Sequence, residues 1–390
     1  MSSSNNASYD VAVVGLGAMG SATAYMLASR GYRVIAFDTY SPPHSLGSSH
    51  GESRIIREAY FESPQYVPLV RRSYELWRLL EEDANTRLLT ITGGLYVGPR
   101  DGELISGVLS SSQQWNIPCE LLTSDELRHR YPEIHVPENL EAILEPGVGV
   151  LQPEACISSF LQGAAARGVH LHMREKVLSW RTEGSGFRVF TSLSPSGYLA
   201  ERVILTVGPW APEILADIGV PLQVLRVFVA YFRRGDERDG IDGHNLPVHL
   251  WQLPEGTYYG MPYNKRVGMK FGRHDDGTPC TPDTIARGVT PDEIERLKSI
   301  VTKLIPSISH PVDASTCMYT MTPDQHFVVD HHPFQSGVVL ACGFSGHGFK
   351  FAPVIGEILA DLAIEGRTSH PIDFISLKRF TPSGAPQHVW

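Results

Sequence analysis

The sequence predicts an α/β (α+β) protein in which a parallel, helix-covered sheet is interrupted by a second, mostly antiparallel one. Three observations predict it: a complete strand–helix–strand unit near the N-terminus, the return of similar strands late in the chain, and a strand-rich stretch between them. At 390 residues two cores are expected rather than one.

Residues 11–14 are an apolar run that ends at Gly15 and reads as a buried strand. Residues 18–30 are rich in helix formers and stop at Gly31, and residues 33–37 form a second strand ending on Asp38. This βαβ unit opens a doubly wound, Rossmann-type sheet. A loop rich in Pro, Gly, Ser and His follows over 41–53, then an amphipathic helix over 66–82 with Val70, Tyr74, Trp77 and Leu80 on one face. Strand-like and helical pieces alternate from about 88 to 141, and sheet strands return at 169–172 and 202–207. Residues 222–232 open the strand-rich stretch, continued by 248–253, 258–259 and 269–271, and a charged helix over 291–304 closes it. A strand over 338–341 and an apolar helix over 350–364, ended by Gly366, complete the chain. The second domain is therefore expected in pieces: 1–87, 142–215 and 325–390 form the first, and 88–141 with 216–324 form the second.

Composition narrows the function classes. No window approaches the roughly 18 apolar residues of a membrane span, and the net charge of −9 is spread along the chain, against a nucleic-acid partner. Met1 to Ser8 lack the basic and apolar regions of a secretory signal, and the final residues through Trp390 are not a peroxisomal tripeptide. A soluble, cytoplasmic protein is expected. Cys119, Cys156, Cys280, Cys317 and Cys342 are odd in number and lack CxxC pairing, against a disulfide framework or a zinc site. His50, His331, His332 and His347 do not group as metal ligands do, so no metal is expected.

Gly15-Leu16-Gly17-Ala18-Met19-Gly20 lies between a strand and a helix, where a dinucleotide fingerprint must lie. Its glycines serve a tight turn, close approach of backbone to a pyrophosphate, and helix–strand packing, while the helix N-terminus offers N–H donors. Asp38 falls where a carboxylate accepts from the adenosine ribose hydroxyls, and it would repel a 2′-phosphate. The motif alone leaves FAD or NAD open. The Gly208-Pro209-Trp210 turn after a late strand leans towards FAD.

Arg54 and Arg57 are three apart, so on one face if helical. They are either solvated surface arginines or an anion site near the cofactor. Lys350 is placed in the first turn of a helix, where the dipole opposes a cation, which argues that it serves a ligand. Cys317 is either a small buried hydrophobe or a reactive thiol. Lys270, in the apolar stretch Gly268-Met269-Lys270-Phe271-Gly272, either snorkels on a solvent face or points inward for function.

Together these stretches resemble the monomeric sarcosine oxidase family, which includes N-methyltryptophan, pipecolate and fructosyl amino acid oxidases. The resemblance runs essentially end to end: the fingerprint, Pro42-Pro43-His44 through Arg57, Cys317 to Asp330, and Phe344 to Phe351. It implies an FAD-dependent oxidase of a small, carboxylated secondary amine, with sarcosine foremost and molecular oxygen as acceptor, acting as a monomer. It implies a thioether from Cys317 to the flavin, a substrate carboxylate bound by Arg57 and Lys350, and Lys270 over the ring where oxygen reacts. Tyr259, His274 and Tyr319 are implied around the amine with Arg54 beside the flavin, and Gly346 as a carbonyl contact. Ser48, His50, Val177, Gly208, Trp210, Gly346, Gly348 and Lys350 complete the implied cofactor surroundings, with Gly15, Gly17, Ala18, Met19, Gly20 and Asp38 from the fingerprint. One departure is Ser49, where sarcosine-specific relatives often carry a second histidine. Positions near Leu250, Trp251 and Met321 are expected to vary with substrate. The alternatives are a flavin dehydrogenase that uses an electron carrier, an NAD-dependent dehydrogenase and, more remotely, a non-enzymatic dinucleotide-binding protein.

Overall fold

The computed structural model describes residues 8–137, 139–235 and 246–380. Its parallel core runs in the order Val338–Cys342, Tyr198–Leu205, Ser8–Val14, Val34–Asp38, His170–Met173. The hairpin Val177–Glu183 and Gly186–Thr191 and the strand Val328–His331 add antiparallel edges, making eight strands. Val11, Ala12 and Val13 are all inaccessible to solvent, as an unbroken apolar run must be when both faces of a parallel sheet are covered. The fingerprint helix Ala18–Ser29 packs against Pro153–Ala166 and Ala352–Glu365. A Cβ on Gly356 would stand 2.7 Å from the Ala22 carbonyl carbon, so small residues set that helix spacing.

The second sheet has nine strands and is antiparallel except where Val248–Leu253 pairs with Gly94–Gly98. Gln223–Arg234 is a long strand one in from the sheet's edge, flanked by Met269–Arg273 and Thr278–Pro279 along one side and by Ile308–Met321 along the other. The helix Pro291–Leu304 covers one face, burying Leu297, Ile300, Val301 and Leu304 in a core with Phe232, Trp251 and Phe271. Its start is capped by Thr290 and Glu293 bonding reciprocally, the sequence signature of a helix N-terminus. A third, three-stranded sheet joins Arg54–Ile56, Gly149–Leu151 and Leu89–Ile91.

Several local expectations change. Residues 54–56 are a strand, so Arg54 and Arg57 do not share a helix face. The last helix starts at Ala352 after a 3-10 turn, Phe349–Phe351, because Pro353 is tolerated only in a helix's first turn. The late strand ends at Leu205 rather than at 207, and Gly208–Trp210 is the expected turn, of 3-10 form. Glu141–Glu145 pairs within the nine-stranded sheet, although residues 142–145 were expected with the first domain. Among the described residues no helix is long and apolar enough to cross a membrane.

Candidate active site between the two sheets

One continuous cavity runs from the glycine turn to the uncovered face of the nine-stranded sheet. Every residue expected to contact cofactor or amine lines it except Gly20. A Cβ on Gly20 would lie 1.7 Å from the Gly15 carbonyl oxygen, so this glycine is the packing contact of the fingerprint. Gly15 has φ +90°, and a Cβ there would meet the Thr206 carbonyl at 2.5 Å. At Gly17 a Cβ would meet only Ser49 Oγ, at 3.7 Å, so the backbone is open to the cavity. The helix that follows has no side-chain cap and no acidic residue in its first turn. Its Ala18 N–H makes only a long 3.4 Å bond to Ser49 Oγ. Unspent donors on an open backbone fit a pyrophosphate. Asp38 is buried and accepts from Leu16 N and Tyr40 N, each at 2.8 Å. These bonds lock the second strand to the glycine turn and leave carboxylate lone pairs for ribose hydroxyls. Val177, Gly208 and Trp210 line the same end, with the Trp210 ring 5.8 Å from Tyr40. These residues fit a dinucleotide.

The other end is built by strand register. Tyr231 pairs with Lys270, Val229 with Gly272, Val227 with Cys317, Leu225 with Tyr319, and Tyr259 with both Leu250 and Gly272. Side chains alternate along each strand, so Lys270, His274, Tyr259, Cys317 and Tyr319 are brought to one face. The intervening Phe271 and Trp251 enter the core on the opposite face. Leu250 therefore lines the cavity, whereas Trp251 and Met321 do not.

Lys270 is buried, and its ammonium donates to Gly51 O at 2.9 Å and Ser53 O at 3.2 Å, so it is not a solvent-face lysine. Burial, and then the Arg54 charge, pull its pKa down to about 7. Arg54 donates to Ser53 O, Ser48 O and His50 O at 2.8, 3.1 and 2.5 Å. Its Nη2 is 4.0 Å from Cys317 Sγ. That thiol is half-buried and 3.4 Å from Ser48 O. Burial and Arg54 hold His50 down to about 4, so it is neutral at pH 7.

Arg57 is buried and ion-paired with Glu62, both carboxylate oxygens lying 2.5 Å from Nη2. Its guanidinium is 4.1 Å from the Tyr60 ring centroid and 4.5 Å from that of Phe61. Burial opposes the Glu62 charge, but Arg57 outweighs it and holds the carboxyl at about 2. Lys350 is also buried, and donates to His347 O at 2.7 Å and Tyr60 Oη at 3.3 Å. Burial, and then Arg57, lower its pKa well below the usual lysine range. Tyr60 donates to His347 Nδ1 at 2.5 Å, and Nε2 donates to Gln325 O at 3.0 Å. Burial keeps His347 neutral, near 3. Glu145, buried with its pKa raised by burial, accepts from Glu58 N at 2.8 Å, Ala59 N at 3.3 Å and the Tyr96 hydroxyl.

Beside these cations, Tyr319 lies over Gly346, where a Cβ would stand 2.6 Å from the ring. His274 is 5.9 Å from the Tyr319 ring, and Tyr259 lines the same part of the cavity. Burial pushes Tyr319 up to about 12 and lowers His274, so both are neutral at pH 7. The sequence reading missed Glu62, Tyr60 and Glu145, and weighed His347 only as a metal ligand although it lies in the Phe344 to Phe351 stretch. The first three belong to no spaced motif, and only the position of Glu62, shortly after Arg57, hinted at a partner.

A dinucleotide cradle opening beneath an antiparallel sheet, with buried cations and neutral hydroxyl and imidazole groups on its wall, defines a cofactor-dependent oxidoreductase. The chain belongs to the FAD dependent oxidoreductase family, whose description matches residues 10–362, and within it to the monomeric sarcosine oxidase group. It is 40% identical to a monomeric sarcosine oxidase of Streptomyces avermitilis over 97% of this chain and 99% of that one. It is 32% identical to an N-methyl-L-tryptophan oxidase of Salmonella enteritidis, over 96% and 99%. The solved structure of NikD, an unusual amino acid oxidase, superposes with a TM-score of 0.83 at 25% identity, covering 95% of this chain and 97% of that one. The chain is thus a flavin-dependent amino acid oxidase of the sarcosine oxidase type.

Proposed function

We propose that this chain oxidises sarcosine, converting N-methylglycine, water and molecular oxygen to glycine, formaldehyde and hydrogen peroxide. The observation that carries the reading is the pair of buried cations, Arg57 and Lys350, on the wall of the cavity. They suit a carboxylate held by charge-assisted bonds. Arg57 is already paired with Glu62, so an incoming carboxylate shares or displaces that pair, and the field of Lys350 is what remains to compensate Glu62. The incoming carboxylate brings a negative charge to Lys350 and favours its protonated form. Tyr259, Tyr319 and His274 present neutral hydrogen-bonding groups to the amine, and nearby positive charge favours its neutral, oxidisable form. FAD, when bound by the glycine turn and Asp38, would supply the two-electron redox chemistry for oxidation at the carbon beside nitrogen. The resulting imine is hydrolysed by water. Positioning by the carboxylate clamp is the protein's main contribution to the rate.

Cys317 is assigned the covalent attachment, a thioether to the flavin, and its cavity-facing, half-buried thiol beside Arg54 supports this. Lys270, held inward, is assigned to the oxygen reaction, where a cation stabilises charge developing on oxygen. The parallel sheet is assigned to the cofactor and the nine-stranded one to the substrate, in a monomer acting in the cytoplasm. A second reading, oxidation of a larger N-methyl amino acid, is favoured by the N-methyl-L-tryptophan oxidase relative. A peroxide-coupled assay of sarcosine, N-methyl-L-tryptophan, pipecolate, proline and fructosyl-glycine decides. Sarcosine should give the highest kcat/KM. Flavin bleaching without peroxide would point instead to an electron carrier.

A further inference from the structure

We propose that Glu154 is a positioning residue for the oxygen half of the reaction, fixing the turn whose carbonyl oxygens hold Lys270. The inference rests on the assignment of Lys270 to oxygen. Glu154 stands in the first turn of the helix Pro153–Ala166, in the layer that covers the parallel sheet. Its Oε1 accepts from Gly51 N at 2.7 Å and Glu52 N at 3.3 Å, across 103 positions of sequence. Gly51 O in turn accepts from Lys270 Nζ at 2.9 Å and from Tyr231 Oη at 3.3 Å. Gly51 is therefore a strut. Its N–H is held by a carboxylate from one layer and its C=O by an ammonium from the other.

The turn needs holding. Glu52 is exposed and carries φ +64°, a left-handed backbone that a residue with a side chain adopts at a conformational cost. Its own carboxylate reaches outward to Arg266 at 3.0 Å and gives no support from within. Arg54 grips Ser48, His50 and Ser53, on either side of the two residues that Glu154 holds. If the Gly51 peptide rotated, the carbonyl would leave the Lys270 ammonium, and the ammonium would lose its fixed place over the cavity. Charge adds to geometry here, because Glu154 is one of the carboxylates whose field favours protonated Lys270 against burial and Arg54. A plain alternative is that Glu154 only complements the dipole of its own helix.

The test uses the flavin-loaded enzyme and separates the half-reactions: reduction by substrate without oxygen, and reoxidation, in which O2 takes two electrons and two protons to leave as hydrogen peroxide. Both bonds from the turn end on one carboxylate oxygen, so Glu154→Gln keeps them and removes the charge. Glu154→Ala removes both, and Glu154→Asp keeps the charge but falls short of the turn. Glu154→Ala should slow reoxidation about three- to tenfold, with reduction changed less than about twofold, and Glu154→Gln should restore most of the loss. Amide hydrogen exchange of the peptide spanning Gly51 and Glu52 should rise in Glu154→Ala and not in Glu154→Gln. Added to Lys270→Met, Glu154→Ala should slow reoxidation no further, since it acts through the lysine. If Glu154→Ala does not accumulate, Glu154→Asp takes its place. Wild-type reoxidation in Glu154→Ala alongside a slow Lys270→Met overturns this proposal and leaves the lysine's role standing. Wild-type reoxidation in Lys270→Met overturns both. Equal losses in Gln and Ala, or additive losses in the double variant, would show that Glu154 acts by charge or independently of Lys270, and overturn it too.

Discussion

The glycine turn and the reaction face lie at opposite ends of one cavity and are built in opposite ways. The cradle is local: Asp38 reaches Leu16 N across only 22 positions, inside a single strand–helix–strand unit. The reaction face is assembled from afar: Lys270 reaches Gly51 across 219 positions and Arg54 approaches Cys317 across 263. A local unit states its purpose in one contiguous stretch, because its geometry follows from its own turn and helix. A face made by register acquires meaning only when strands pair, since a one-residue slip would send every side chain to the other side. The two ends should therefore fail differently when altered.

The largest effect expected is at the far end. Cys317→Ser should abolish covalent flavin altogether: acid-precipitated wild-type protein keeps its yellow colour in the pellet, and the variant releases it to the supernatant. Colour lost from the wild-type pellet would remove Cys317 from that role. At the near end, Gly20→Ala forces a Cβ into backbone that cannot retreat, and should destabilise the fold by about 3 kcal/mol or more. A denaturant midpoint like that of wild type would mean the helix can shift, and that the fingerprint is looser than its contacts imply.

Smaller effects probe the proposed carboxylate clamp. Arg57→Ala should weaken binding of simple carboxylate inhibitors by roughly 1.5–3 kcal/mol, the range for a hydrogen bond to a charged group. Unchanged inhibitor affinity would put the anion site elsewhere. Lys270→Met keeps the volume, removes the charge, and should slow reoxidation at least about tenfold, near 1.4 kcal/mol, while reduction suffers much less. Equal loss in both halves would make it a general structural residue. The smallest effect has two signs. Glu62→Gln removes the resident competitor for Arg57, so carboxylate inhibitors should bind about threefold to tenfold more tightly, roughly 0.6–1.4 kcal/mol. Folding stability should meanwhile fall by about 1–3 kcal/mol, because a buried arginine loses its counter-charge. Weaker inhibitor binding in this variant would show Glu62 assisting the substrate rather than competing with it.

Much of the near end was legible without coordinates. The fingerprint, Asp38 and the strand that ends on it stand where they were expected, and the helix Pro291–Leu304 was readable from its charged face. All of these depend on neighbours in sequence, such as alternating apolar positions, a capping pair, or glycines where a Cβ would collide. The far-end residues could be named by resemblance, but spacing alone was a poor guide. Arg54 and Arg57 suggested a helical pair and proved to be the first residue of a strand and the residue just after it, one arginine gripping loop carbonyls and the other buried against Glu62.

By itself the sequence determined the kind of fold, the cofactor-binding turn and the presence of cations without an evident structural role. Only the tertiary structure decided that Lys270 points inward, that Arg57 is paired with Glu62, and that Glu154 and Glu145 brace the backbone around them. The physical reason is the range of the interactions. Turns, caps and apolar periodicity are settled within a few residues, whereas the partner of a buried charge is chosen by strand register and loop closure across hundreds of positions.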